Sequence, residues 1–106
     1  MKDILRKVRE AAPRKILFLP HAIDQMNRPE RMITPTEVHE VIAGGEVIED
    51  YPTDPRGHSC LMMGNTSAER VVHVVCSLKE DYLAIITAYI PSIEEWNRDL
   101  RTRKKT

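Results

Sequence analysis

The sequence has no excess of charge of either sign: sixteen Lys and Arg meet sixteen Asp and Glu, and the formal net charge is zero. The simplest route to nucleic acid, attraction through bulk positive charge, is therefore removed. Cysteine is scarce. Cys60 and Cys76 are the two in the chain; with no secretory signal and both inside predicted strands, they are expected as reduced, half-buried thiols, and no disulfide framework is implied. Long apolar runs are absent as well. Stretches such as 83–86 fall far short of the roughly 20 residues that cross a bilayer. Met1-Lys2-Asp3 leads into an amphipathic segment rather than the apolar core of a signal peptide, so a cytoplasmic protein with no membrane partner is expected. Gly-rich phosphate loops, a Ser-His-Asp order, a Cys-His protease signature and internal repeats are also missing.

What is present is the composition of an ordinary globule, 42% apolar and 30% charged over 106 residues. One domain spanning 1–106, with a single core, is expected. Ile4, Leu5 and Val8 at helical spacing, closed by Pro13, predict a loosely docked amphipathic helix over 3–12. Residues 15–19 are a brief apolar run, extended ahead of Pro20, which itself suits the first turn of a helix holding His21, Ala22, Ile23 and Met26. Thr34-Pro35-Thr36-Glu37 has the form of a capping box, with a buried stripe at Val38, Val41 and Ile42 and a left-handed stop at Gly44-Gly45. After the glycines the apolar period changes from 3.6 to 2, and 46–51, 60–63, 70–77 and 82–90 read as strands. Their short connections require antiparallel neighbours. A second capping pattern, Ser92-Ile93-Glu94-Glu95, predicts a C-terminal helix with Ile93, Trp96 and Leu100 inward. The expected fold is thus α+β: N-terminal helices, a four-stranded antiparallel meander and a C-terminal helix.

Several side chains carry chemistry. Alternation puts Val71, His73 and Val75 on one face of their strand and Ile85, Thr87 and Tyr89 on one face of the next. A hairpin centred on Glu80 sets His73 opposite Thr87 and diagonal to Tyr89; a one-residue slip separates them. The plain structural alternative is a histidine satisfied by Thr87 or by backbone. His21, at a helix start, would stay neutral in the helix dipole and able to accept a proton, or be only a surface residue. His39 and His58 read as exposed. His58, Cys60, His73 and Cys76 are zinc-ligand types, but His73 and Cys76 alternate to opposite faces, so neither metal nor cofactor is expected. Arg98, Arg101, Arg103, Lys104 and Lys105 gather near the C-terminus with Asp99 opposing, as an RNA contact or as the solvated end of a helix.

The order of these pieces resembles a small bacterial domain family related in layout to the BrnT and RelE-like toxins of toxin–antitoxin pairs. The resemblance runs from His21 to Lys104. It is carried by His21-Ala22, Met26, Arg31-Met32-Ile33, Thr36-Glu37-Val38, Gly45-Glu46-Val47-Ile48-Glu49, Val72-His73-Val74-Val75, Ile85 to Pro91, Trp96 and Arg103-Lys104. Gln25 stands where the resemblance leads one to expect arginine. It implies a metal-independent ribonuclease acting on messenger RNA, free or on the ribosome, and neutralised by a small antitoxin protein. Such an enzyme needs a base for the ribose 2′-hydroxyl, an acid for the leaving oxygen and a cation for the phosphorane. The implied roles are His73 as acid or base oriented by Thr87, Tyr89 as its partner or a proton donor, and His21 as second proton carrier. Arg70 or Arg103 would clamp the phosphate, with Arg98, Arg101 and Lys104 along the RNA. The rival reading is a non-catalytic protein-interaction domain on the same scaffold.

Overall fold

A computed structural model describes residues 2–105. Helices α1 (Lys2–Ala11), α2 (Pro20–Met26) and α3 (Pro35–Gly44) and strands β1 (Ile16–Phe18), β2 (Glu46–Tyr51), β3 (Ser59–Asn65), β4 (Val71–Leu78) and β5 (Leu83–Tyr89) follow in the order α1-β1-α2-α3-β2-β3-β4-β5. The sheet has five strands in the order β1-β5-β4-β3-β2. Among the described residues, no helix is long and apolar enough to cross a membrane.

The expected four-stranded meander with a C-terminal helix is corrected at both ends. The 15–19 run is a strand that pairs parallel with β5, Ile16 beside Leu83 and Phe18 beside Ile85, which makes the sheet mixed and five-stranded. At the other end the described residues form no helix. Ser92 and Asp99 instead spend their side chains on the backbone N–H groups of Glu94, and of Arg101 and Thr102, the competition that disfavours helix at such residues. The chain doubles back through a bridge between Trp96 and Arg103. Trp96 is buried as expected, whereas Ile93 points to solvent at 66% exposure.

The helices cover one face of the sheet. Ile4, Val8, Ala22, Met26, Val38, Val41 and Ile42 join Met62, Val72, Val74 and Ile85 in one apolar cluster. Ile4 and Val8 are 1% exposed, so α1 is firmly docked rather than loose; burying each such side chain contributes roughly 2 kcal/mol. Helix α3 starts as its sequence requires: Thr34 caps the Glu37 N–H, and Glu37 returns a bond to the Thr34 N–H. Its end differs from the expected left-handed stop. Gly45 has φ −82° and ψ −171°, extended backbone, and glycine is needed there for space: a Cβ would lie 2.5 Å from the carbonyl oxygens of both Val41 and Met63.

Register decides what the opposite face carries. β4 and β5 pair His73 with Tyr89 and Val75 with Thr87, and β5 then takes an irregularity before Cys76 meets Ile85. The expected His73–Thr87 pair is thereby corrected: the strands are displaced by one same-face step, and Tyr89, not Thr87, is the cross-strand neighbour of His73. On the other side His73 faces Met63.

Candidate functional site

Residues 91–105 leave β5 and cross this second face as a strap. Trp96 sets its ring edge-on to His73 at 4.6 Å between centroids, and the Leu100 carbonyl accepts from His73 Nε2 at 2.6 Å. Leu100 reaches this position with φ 58°, a left-handed conformation that costs a branched residue about 1–2 kcal/mol. Beyond it, Arg101 pairs with Glu46 at 2.8 Å and Arg103 with Glu49 at 2.8 Å, tying the strap to β2. Arg103 also lies 4.6 Å above the Trp96 ring. Glu49 receives the Tyr51 hydroxyl too. Burial alone would raise its carboxyl, but Arg103 and Tyr51 hold it below the usual range.

His73 is fully buried, and burial lowers its pKa below the ordinary histidine value. The ring is thus neutral near pH 7. A neutral imidazole has one N–H, and the carbonyl at Nε2 requires it there. Nδ1 is then an acceptor, and its neighbour at 3.2 Å is the Tyr89 hydroxyl. Tyr89 therefore donates to His73. Burial pushes the Tyr89 pKa up to about 12, so the phenol keeps its proton, and its oxygen has lone pairs left for a further donor.

Tyr89 opens onto a mainly polar cavity of about 370 Å³ lined also by Gln25, Arg31, Glu95, Trp96 and Arg103. Arg31 Nη1 donates to Gln25 Oε1 at 3.2 Å, which sets a guanidinium from the segment after α2 beside Gln25. Arg31 has no carboxylate partner among the described residues. Sequence reasoning does not find Arg31 or Glu95 as site residues; Arg31 sits within the Arg31-Met32-Ile33 piece of the resemblance, while Glu95 has the spacing of a helix cap.

The other sequence candidates lie elsewhere. Thr87 makes no bond to His73, whose partners are Tyr89 and Leu100. His21 is exposed at the start of α2 and does not line the cavity. Arg70 is a brace: it bonds Glu37 through Nε and Nη2, the Arg31 carbonyl at 2.7 Å and the Met32 carbonyl at 3.1 Å. Arg98 and Lys104 are exposed, and Arg101 is held by Glu46. The zinc-type residues do not converge. Cys60 and Cys76 face each other at 3.8 Å in the helix-side core, His58 bonds Asp50 at 2.5 Å, and His73 is on the far face. Cys60 beside it, and then burial, push the Cys76 thiol up, so it stays protonated.

Residues 18–90 match a domain of unknown function, DUF4258. The chain belongs to this family. No curated protein and no solved structure matches the chain. The DUF4258 match contains His73, Tyr89, Arg31 and the Glu37–Arg70 brace, and it ends at Ile90. The strap that covers His73 and supplies Glu95, Trp96 and Arg103 lies beyond it.

Proposed function

We propose that this DUF4258 protein is a metal-independent endoribonuclease of the toxin type, acting in the cytoplasm on messenger RNA and neutralised by a small antitoxin protein. The observation that carries the reading is the convergence of Tyr89, Arg31, Arg103 and Glu95 on one polar cavity backed by His73. These groups meet the needs of 2′-hydroxyl attack. The Tyr89 oxygen accepts the 2′-proton as Tyr89 passes its own proton to His73 Nδ1, leaving an imidazolium whose Nε2–H stays on the Leu100 carbonyl. The 2′-oxygen bonds to phosphorus, the 5′-oxygen leaves with a proton from solvent, and Arg31 and Arg103 offset the phosphorane charge. Tyr89 touches the substrate; His73 acts through it.

Induced expression tests this in cells. The wild type is expected to arrest growth, and Tyr89→Phe and Arg31→Ala to relieve the arrest while accumulating as folded protein. Unimpaired growth with folded wild-type protein contradicts it. One observation favours the second reading, a non-catalytic protein-interaction domain: both His73 nitrogens are satisfied and the strap covers the ring. On that reading Tyr89→Phe leaves every cellular effect unchanged.

A further inference from the structure

We infer that the cavity beside Tyr89 selects guanine as the base of the nucleotide whose 2′-hydroxyl attacks, with Glu95 and Gln25 as the groups that read it. Guanine selection rests on the ribonuclease reading, which sets the ribose at Tyr89 and its 3′-phosphate at Arg31 and Arg103. At about 370 Å³ the cavity lies within the roughly 300–1,000 Å³ of small-ligand sites.

Attack by the 2′-hydroxyl occupies Tyr89, Arg31 and Arg103 and leaves Glu95 and Gln25, in the same lining, without a task. The Glu95 carboxylate has no ion-pair partner among the described residues. Its backbone, by contrast, is fixed. The Glu95 N–H donates to the Ser92 carbonyl at 3.1 Å, the Glu95 carbonyl accepts from the Lys104 N–H at 3.0 Å, and the next residue, Trp96, is buried. After burial, the largest influence on the Tyr89 phenol, the Glu95 charge is among those that raise its pKa, so the two groups stand within electrostatic reach. Gln25 accepts from Arg31 through Oε1, which leaves the N–H bonds of its amide nitrogen to donate elsewhere.

A carboxylate offers two acceptor oxygens in a fork, which match two adjacent donors. Among the four RNA bases, guanine alone presents such a pair on its Watson–Crick edge, N1–H beside the 2-amino group. Adenine, cytosine and uracil each offer a single donor group there beside an acceptor. The guanine O6 that completes the edge is an acceptor, for which the Gln25 amide has the donor. Bases outside a duplex are read on this edge. A phosphate joined to the same nucleoside meets the rest of the lining. Arg31 has no carboxylate partner among the described residues, and Arg103 binds Glu49 through Nε and Nη2, which leaves Nη1 for an anion. One ligand with an anion at one end and a donor pair at the other thus satisfies both arginines and Glu95.

The probes are the 3′-monophosphates of guanosine, inosine, adenosine, cytidine and uridine, each titrated into the full chain and followed by amide and indole NMR. Guanosine 3′-monophosphate is expected to shift Arg31, Tyr89, Glu95 and the Trp96 indole saturably, and to bind about tenfold or more tighter than the adenosine, cytidine and uridine compounds. The inosine compound lacks the 2-amino group and should bind about tenfold more weakly than the guanosine one. Glu95→Ala, at an exposed position, should cut the guanine preference to under about threefold, whereas Arg31→Ala should weaken all five compounds alike. Equal binding of the five, preference for another base, a guanine preference undiminished in Glu95→Ala, or no saturable shift at these residues at millimolar nucleotide would each overturn the proposal. Because binding is read without chemistry, guanine-selective binding with intact RNA counts against the ribonuclease alone, and RNA cleavage without base preference counts against the base site alone.

Discussion

At the scale of single residues, one buried charge holds several parts of the chain together. Glu37 is 3% exposed, and it binds Thr34, Thr66 and Arg70 at once. Arg70 is the largest influence in lowering its pKa to about 2 from 4.5. A carboxyl whose folded pKa is depressed stabilises the fold above its unfolded pKa, and that contribution is lost as pH falls toward the folded value. The window here runs from about 4.5 down to about 2, and the shift corresponds to roughly 3 kcal/mol. Denaturant titrations of the wild type and Glu37→Gln should therefore converge across that window. Arg70→Ala leaves a buried carboxylate unpaired and should cost about 3–5 kcal/mol at pH 7. A loss under about 1 kcal/mol, the range of an exposed ion pair, would show that Arg70 is not a brace.

At the scale of elements, close approach and local bonding decide what pattern alone leaves open. The Gly44-Gly45 pair separates the two uses of glycine. A methyl group added at Gly44 would meet nothing within 4 Å, whereas Gly45 is pressed between two carbonyls. Gly44→Ala should raise stability by up to about 1 kcal/mol through helix propensity, and Gly45→Ala should lower it by about 2 kcal/mol or more; thermal unfolding of the two variants checks the contrast. The capping box of α3 and the alternation in β2 to β5 are legible in the sequence because their determinants are local. β1 is readable as extended but not as paired, since three residues carry no register and the partner strand is far along the chain. The strap reads as a helix because Ser92 and Glu95 have cap chemistry, while the bonds that hold it across the sheet, from Arg101 and Arg103 to Glu46 and Glu49, are made to positions sequence spacing does not join.

At the scale of the whole molecule, the sheet separates two tasks. One face is closed by the helices into the core, and the other carries His73 and Tyr89 beneath the strap, beside the cavity that Arg31 and Arg103 border. Of the site, His73, Tyr89 and Arg103 are legible from faces and resemblance. Arg31, Glu95 and the Leu100 carbonyl come only with the fold. Arg101 and Arg103 tie the strap to the β2 carboxylates Glu46 and Glu49, and Arg31 borders the cavity without a carboxylate partner among the described residues. The most direct measurement is cleavage of a defined RNA by purified protein in the presence of a chelator, with the product ends identified and the pH varied. The expected result is 2′,3′-cyclic phosphate ends, no cleavage where the attacking ribose is 2′-deoxy, and a loss of about 100-fold or more in Tyr89→Phe. Because burial lowers the His73 pKa, the acid limb of the rate should lie below 6.5, the ordinary histidine value. Intact RNA with folded protein, or cleavage that the chelator abolishes, would contradict a metal-independent ribonuclease built on Tyr89 and His73.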